Sequence, residues 1–144
     1  MGRLEASLER ERNGDVVLIG RRHLRSNNSW MHNLPVLVKG KARCTVHLHP
    51  DDAQRLGVAD GADVRVTSSA GEIVVPAEIT DAIRPGVVSI PHGWGHDVDG
   101  ARLTTASVQV GANTNLLARS DLFDPLSGNA VLNGIPVEVA AASS

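Results

Sequence analysis

Six apolar runs, none longer than a short strand, are spread along the whole chain: DVVLIG, CTVHLH, ADVRVTS, GEIVVPAEI, GVVSI and GIPVEVA. They are rich in valine and isoleucine, and several alternate with period two, as in Val64-Arg65-Val66-Thr67 and Thr45-Val46-His47-Leu48. That period places one side chain in a core and the next in solvent, the pattern of a half-buried strand. Helical signals are fewer. His49 to Gly57 carries proline and aspartate in its first turn and glycine just past its end, the asymmetry of a short helix. Thr114 to Arg119 predicts another, with Asn113 or Thr114 as its cap.

Ser68-Ser69-Ala70-Gly71 joins two strands, with glycine expected to supply a positive φ for the hairpin. Pro76 removes a ladder donor and predicts an edge or a bulge within its strand. About six strands in a single domain of 144 residues, with two or three short helices, favour a mainly β fold closed into a barrel, because closure removes exposed edges. The barrel is expected over residues 16–139, with a flexible or weakly helical segment at 1–15 and a disordered tail at 140–144.

Composition excludes several classes of function. A net charge of -2 gives no support for nucleic-acid or membrane-surface binding. The single cysteine, Cys44, forms no internal disulfide and is expected as a core thiol. His47 and His49 lack a third metal ligand nearby, and glycines within His92-Gly93-Trp94-Gly95-His96 oppose the helix that an i, i+4 histidine pair needs. No apolar run is long enough to span a membrane, and a soluble cytoplasmic chain is the expectation. Neither a GxxxxGK[ST] loop nor GxGxxG occurs.

Charge distribution is more informative than its total. Val16 through Pro50 contains no acid but holds Arg21, Arg22, Arg25, Lys39, Lys41 and Arg43. Inside it lies GRRHLRSNNSWMHN, Gly20 to Asn33. Two further polar loops, Pro91 to His96 and Gly111 to Leu117, lead toward Asp124-Pro125-Leu126-Ser127-Gly128. Each has an ordinary reading as a solvated loop, a cap or a turn. Together they suit a ligand. Arginine offers a fixed fork of donors to a diphosphate, and asparagine and serine read the edge of a purine or pterin. Gly93 and Gly95 permit close backbone approach. Trp30 and Trp94, in a chain with one phenylalanine and no tyrosine, stand ready to wall a flat ring.

The succession GRRHLRSNNSWMHN, HPDDAQRLGVADGADVRVTSSAGEI and NTNLL…DPLSG…GIPVEV resembles the C-terminal domain of the molybdopterin oxidoreductases, the family of formate dehydrogenases, nitrate reductases and dimethyl sulfoxide reductases. The likeness runs from Val16 to Val139. It implies a double-psi β-barrel binding molybdopterin guanine dinucleotide. Carried onto this chain, Gly20, Arg21, Arg22, His23, Arg25, Ser26, Asn27 and Asn28 would hold the pterin and diphosphate, followed by Ser29 and Trp30. His92, Gly93 and Trp94 would face the cofactor, with Asn115 bonding it and Asn113 and Asp124 nearby. Where some members place a lysine before the last strand, this chain has Leu132-Asn133-Gly134, so Asn133 substitutes. The family's molybdenum ligand and iron–sulfur motif are not identifiable, and Cys44 does not match the ligand position. The resemblance therefore implies a module of a formate dehydrogenase-like enzyme, partnered by its other domains or subunits and not catalytic alone. Double-psi barrels also serve as adaptor-binding modules, which is the alternative.

Overall fold

The structure, a computed structural model, describes residues 16–142. Six strands form its frame: β1 (Val16–Arg21), β2 (Val46–Leu48), β3 (Asp63–Thr67), β4 (Glu72–Ile79), β5 (Val87–Pro91) and β6 (Ile135–Ala141). Two short α-helices, α1 (Pro35–Val38) and α2 (Pro50–Leu56), and 3-10 turns at Trp30–Asn33, Ala106–Val108 and Thr114–Leu117 fill the connections. The strands close in the order β1-β5-β2-β4-β3-β6, a double-psi barrel. β1 runs parallel to β5, and β2 parallel to β4. The other pairings are antiparallel.

Alternation in the sequence becomes the inside of this barrel. Val16, Leu18, Val46, Leu48, Val64, Val66, Ile73, Val75, Val88, Ile90, Val137 and Val139 are all buried in one core. Each side chain of this size stabilises the fold by about 1.5–3 kcal/mol when removed from water. Helix α2 is stapled to the barrel by a buried carboxylate. Asp52 accepts from Arg55 Nη2 at 2.9 Å and from the Gly86 backbone N–H at 2.7 Å, just ahead of β5. Gly57 ends the helix at φ +66°, a left-handed geometry that glycine adopts without strain.

Three local expectations change. Gly71 is not among the residues with positive φ. A Cβ there would lie 2.8 Å from the Leu116 carbonyl oxygen, so this glycine is needed for close approach of the 114–117 turn, while Ser68 Oγ organises the hairpin by accepting from Ala70 N and Gly71 N. Pro76 is at no edge. Its pairing with Asp63 is the last between β4 and β3, and the pairing of Ala77 with Val46 starts the contact with β2, so the missing donor falls where the strand changes partner. The expected tail begins too early, because Ala140 and Ala141 pair with Arg65 and Val64 in β6. The readings made for residues 1–15 and 143–144 lie outside the described residues. No helix among those described is long and apolar enough to cross a membrane.

Candidate functional site

Because β1 and β5 are parallel neighbours, with Arg21 beside Pro91, the loops leaving their C-terminal ends emerge side by side. Ligand crevices form at such places in α/β sheets for the same geometric reason. The first loop turns back through Asn27 and Asn28, at φ +43° and +66°, a conformation asparagine tolerates better than most residues. The second passes through Gly93 at φ +86°, where a Cβ would stand 1.7 Å from the Asn28 carbonyl oxygen. Side chains reinforce the contact. Arg22 Nη1 donates to Asn28 Oδ1, which also meets His92 Nε2 at 3.2 Å.

A third loop locks onto the second. A Cβ on Gly95 would lie 2.5 Å from Asn113 Cβ, and one on Gly111 would lie 2.7 Å from the Trp94 ring. The polar segments at 20–33, 91–96 and 111–117 are thus one interdigitated surface.

Two clefts open on it. The first, about 330 Å³, is lined by Leu18, Gly20, Arg21, Arg22, Ile90, His92, Gly93, Thr114, Asn115, Ala118, Leu132, Asn133 and Ile135. The second, about 440 Å³, is lined by Arg22, His23, Leu24, Ser26, Asn27, Asn28, Met31 and His92. Arg22 and His92 form a wall common to both, and neither lining includes a carboxylate. In the first cleft Asn133 Oδ1 accepts from the Gly20 backbone N–H at 2.7 Å. Its amide nitrogen and the Asn115 side chain remain for a ligand.

Of the residues expected from sequence, Gly20, Arg21, Arg22, His23, Ser26, Asn27, Asn28, His92, Gly93, Asn115 and Asn133 line these clefts. The guanidinium of Arg21, although that residue borders the first cleft, and the remaining six residues are placed differently. The Arg21 guanidinium turns inward, donating to Thr45 O at 2.8 Å, Thr45 Oγ1 at 3.0 Å and Ser89 O. Burial lowers its pKa, opposed by the charge of Glu78. It braces β1 against β5 and the approach to β2, and its fork is already occupied. Arg25 and Ser29 line neither cleft. Nor does Trp30, which is 82% exposed.

Trp94 corrects the expectation of an aromatic ligand wall: it is 6% exposed and part of the core. Its ring stacks on His32, with centroids 3.9 Å apart. Asn113 spends its side-chain oxygen on capping the 114–117 turn, accepting from Asn115 N at 3.1 Å. Helix there is shorter than expected, a 3-10 turn ending at Leu117. Asp124 closes its own turn by accepting from Leu126 N, Ser127 N and Ser127 Oγ.

His32 was given no role by sequence, and nothing in its neighbours distinguishes it from the histidines around it. It is 1% exposed, with Nδ1 2.9 Å from His96 Nε2. Burial lowers its pKa to about 4, helped by His96 and opposed by a backbone contact with Gly93; Arg43 and His23 add smaller repulsions. The neutral ring pins the first loop to the second beneath the clefts. Cys44, buried as expected, has its pKa raised chiefly by desolvation, and Sγ accepts from Ala112 N at 3.2 Å. This ties the third loop to β2.

Residues 16–136 match the family model described as the molydopterin dinucleotide binding domain. The chain belongs to this family. Its members bind a molybdopterin dinucleotide, and the match covers β1 to β5 whole and reaches the start of β6. The chain is similar to a tetrathionate reductase subunit of Salmonella typhimurium, 29% identical over 123 residues, which cover 74% of this chain and 12% of that protein. Likeness to ArrA, the molybdopterin-containing subunit of the arsenate respiratory reductase of Chrysiogenes arsenatis, is 32% over 114 residues, covering 76% of this chain and 13% of that protein. The barrel superposes on acetylene hydratase from Pelobacter acetylenicus with a TM-score of 0.76 at 24% identity, covering 96% of this chain and 20% of that one. The dinucleotide-binding domain is therefore one module of much longer proteins in these relatives.

Proposed function

We propose that this chain is the cofactor-closing module of a molybdenum-dependent oxidoreductase and that its two joined clefts hold a molybdopterin guanine dinucleotide. One observation carries this: two contiguous, carboxylate-free clefts share Arg22 and His92, one mixing apolar walls with amides and the other basic. A flat ring fits the first, between Leu18, Ile90 and Leu132, with Asn115 and Asn133 at its polar edge. A diphosphate fits the second, where Arg22, Asn28 and Ser26 offer donors and no acid repels it.

When bound, the cofactor would supply the redox-active molybdenum. The residues that line the clefts bind, orient and exclude water. The substrate would be chosen by the other domains or subunits that are its partners. Relatives named for tetrathionate and arsenate favour a broader assignment than the formate dehydrogenase type.

Arg22→Gln tests the reading. Loss of a charge-assisted bond of about 1.5–3 kcal/mol should weaken binding of guanosine diphosphate, or of the cofactor released from a parent enzyme, by about 10- to 100-fold. Unchanged affinity in calorimetry, or no binding by the wild type, refutes it.

A further inference from the structure

Asn133 lines the first cleft and is followed directly by Gly134, both exposed to solvent. An asparagine before glycine can cyclise, because with no Cβ in the way the next backbone nitrogen reaches the side-chain carbonyl carbon. The surroundings of Gly134 leave room for that reaction: its φ is +76°, and a Cβ placed there would meet nothing within 4 Å.

Strand β1 holds both reacting groups. The Gly20 N–H donates to Asn133 Oδ1 at 2.7 Å, and the Gly134 N–H donates to the Leu18 carbonyl oxygen at 2.9 Å. These bonds act in opposite senses. The first aims a donor at the oxygen on which charge develops when Cγ is attacked, and so favours attack. The second ties up the nucleophile's own proton with a carbonyl that is no base, and so blocks it. Blocking wins while that bond is closed, since no attack starts without the nitrogen. The same bond is a weak point of the barrel. It lies one residue past the pairing of Leu18 with Ile135, the last of the β1–β6 ladder, and ladder ends open at the lowest free energy.

We propose that Asn133-Gly134 is a self-modification site, gated by the bond from Gly134 to Leu18, whose product closes the first cleft to anionic ligands. When the bond opens, the Gly134 nitrogen bonds to Asn133 Cγ, the Cγ–Nδ2 bond breaks, and ammonia leaves with the Gly134 proton. Water then opens the cyclic imide. Cleavage at Cγ gives aspartate and cleavage at the main-chain carbonyl gives isoaspartate, with nothing oxidised or reduced. Either product puts a carboxylate into a lining that holds Arg22 and no acid, and like charge beside a phosphorylated ligand lowers its affinity. The closing of the cleft rests on the dinucleotide reading above; the modification itself does not.

The test incubates the full chain at mildly alkaline pH, in native buffer and in urea, and follows by mass spectrometry the tryptic peptide that begins after Arg119. Fragmentation separates Asn133 from Asn129. Asn133 should convert in the folded chain more slowly than in urea by about tenfold or more, and the folded rate should rise in urea below the unfolding transition. Saturating guanosine diphosphate should slow it further. Asn133→Gln, whose longer side chain would need a larger ring, should not convert.

Calorimetry then reads the consequence. Converted protein should bind guanosine diphosphate more weakly by about tenfold or more. Asn133→Asp, made directly, should show the same loss with its thermal midpoint kept, because a carboxylate still accepts the Gly20 N–H. Conversion as fast in native buffer as in urea overturns the gate, and no conversion in native buffer while the urea sample reacts overturns the site. Full affinity in Asn133→Asp overturns the closing of the cleft and leaves the dinucleotide reading standing. If fresh wild type does not bind guanosine diphosphate, the dinucleotide reading fails, while the masses still decide the modification.

Discussion

Protonation of His32 should unfasten the loops that build the clefts, and its size follows from burial. The ring is 1% exposed, stacked on Trp94 and bonded to His96. Its pKa falls from 6.5 in an open chain to about 4 in the fold. A base whose pKa is depressed by folding is neutral in the native state and charged in the unfolded one. Its contribution is therefore fully present above pH 6.5 and is lost as the pH falls toward 4.

Proton linkage then gives a loss of about 2 kcal/mol between neutral pH and pH 5, rising to about 3 kcal/mol at pH 4. That is a large fraction of the stability of a domain this size. His23, His47 and His96 also have lowered pKa values, each chiefly through desolvation, so they add to the slope with the same sign. The His32→Phe variant isolates the one ring, since it keeps a flat partner for Trp94 and cannot titrate. Urea unfolding followed by circular dichroism at steps from pH 7.5 to pH 5 should show wild type losing about 2 kcal/mol more than the variant. Parallel stability curves would refute the assignment of a buried neutral His32.

Three further outcomes are expected. Gly93→Ala forces a Cβ to 1.7 Å from the Asn28 carbonyl oxygen, so the two loops must separate; thermal unfolding should show a loss of about 1–3 kcal/mol, and guanosine diphosphate binding should fall with it. Arg21→Ala removes donors from Thr45 O, Thr45 Oγ1 and Ser89 O and should destabilise by about 3 kcal/mol in urea unfolding, whereas a residue serving only to bind ligand would leave stability intact. Cys44 is 7% exposed with its thiol pKa raised, so labelling by a thiol reagent should be slow and should accelerate with denaturant in step with unfolding.

Alternation of valines made the barrel legible, because each strand must present one apolar face and no helix among the described residues is long enough to cover an open sheet. Pro50, Asp51 and Gly57 likewise announced α2 through local rules that need no distant partner. The polar loops were legible as a set through their missing acids and their glycines, and eleven of the seventeen residues that the family resemblance implied line the clefts. What failed were side-chain directions. Arg21 and Arg22 are neighbours of one type, yet one turns to Thr45 and Ser89 while the other reaches Asn28, because consecutive residues leaving a strand point to opposite faces. Trp94 shows the same limit, since glycines on both sides place its backbone on the surface while its ring enters the core.

The sequence by itself determined the strand set, the capped helix and the carboxylate-free basic half. All follow from periodicity, capping chemistry and composition, which act between residues close together in the chain. Only tertiary structure decided which donors face a ligand. Pairing β1 with β5 sets Asn28 beside Gly93 and brings Arg22 and His92 together as the wall common to both clefts. Burial, which converts His32 into a neutral peg, is a property of that closure and is written in no local stretch of residues.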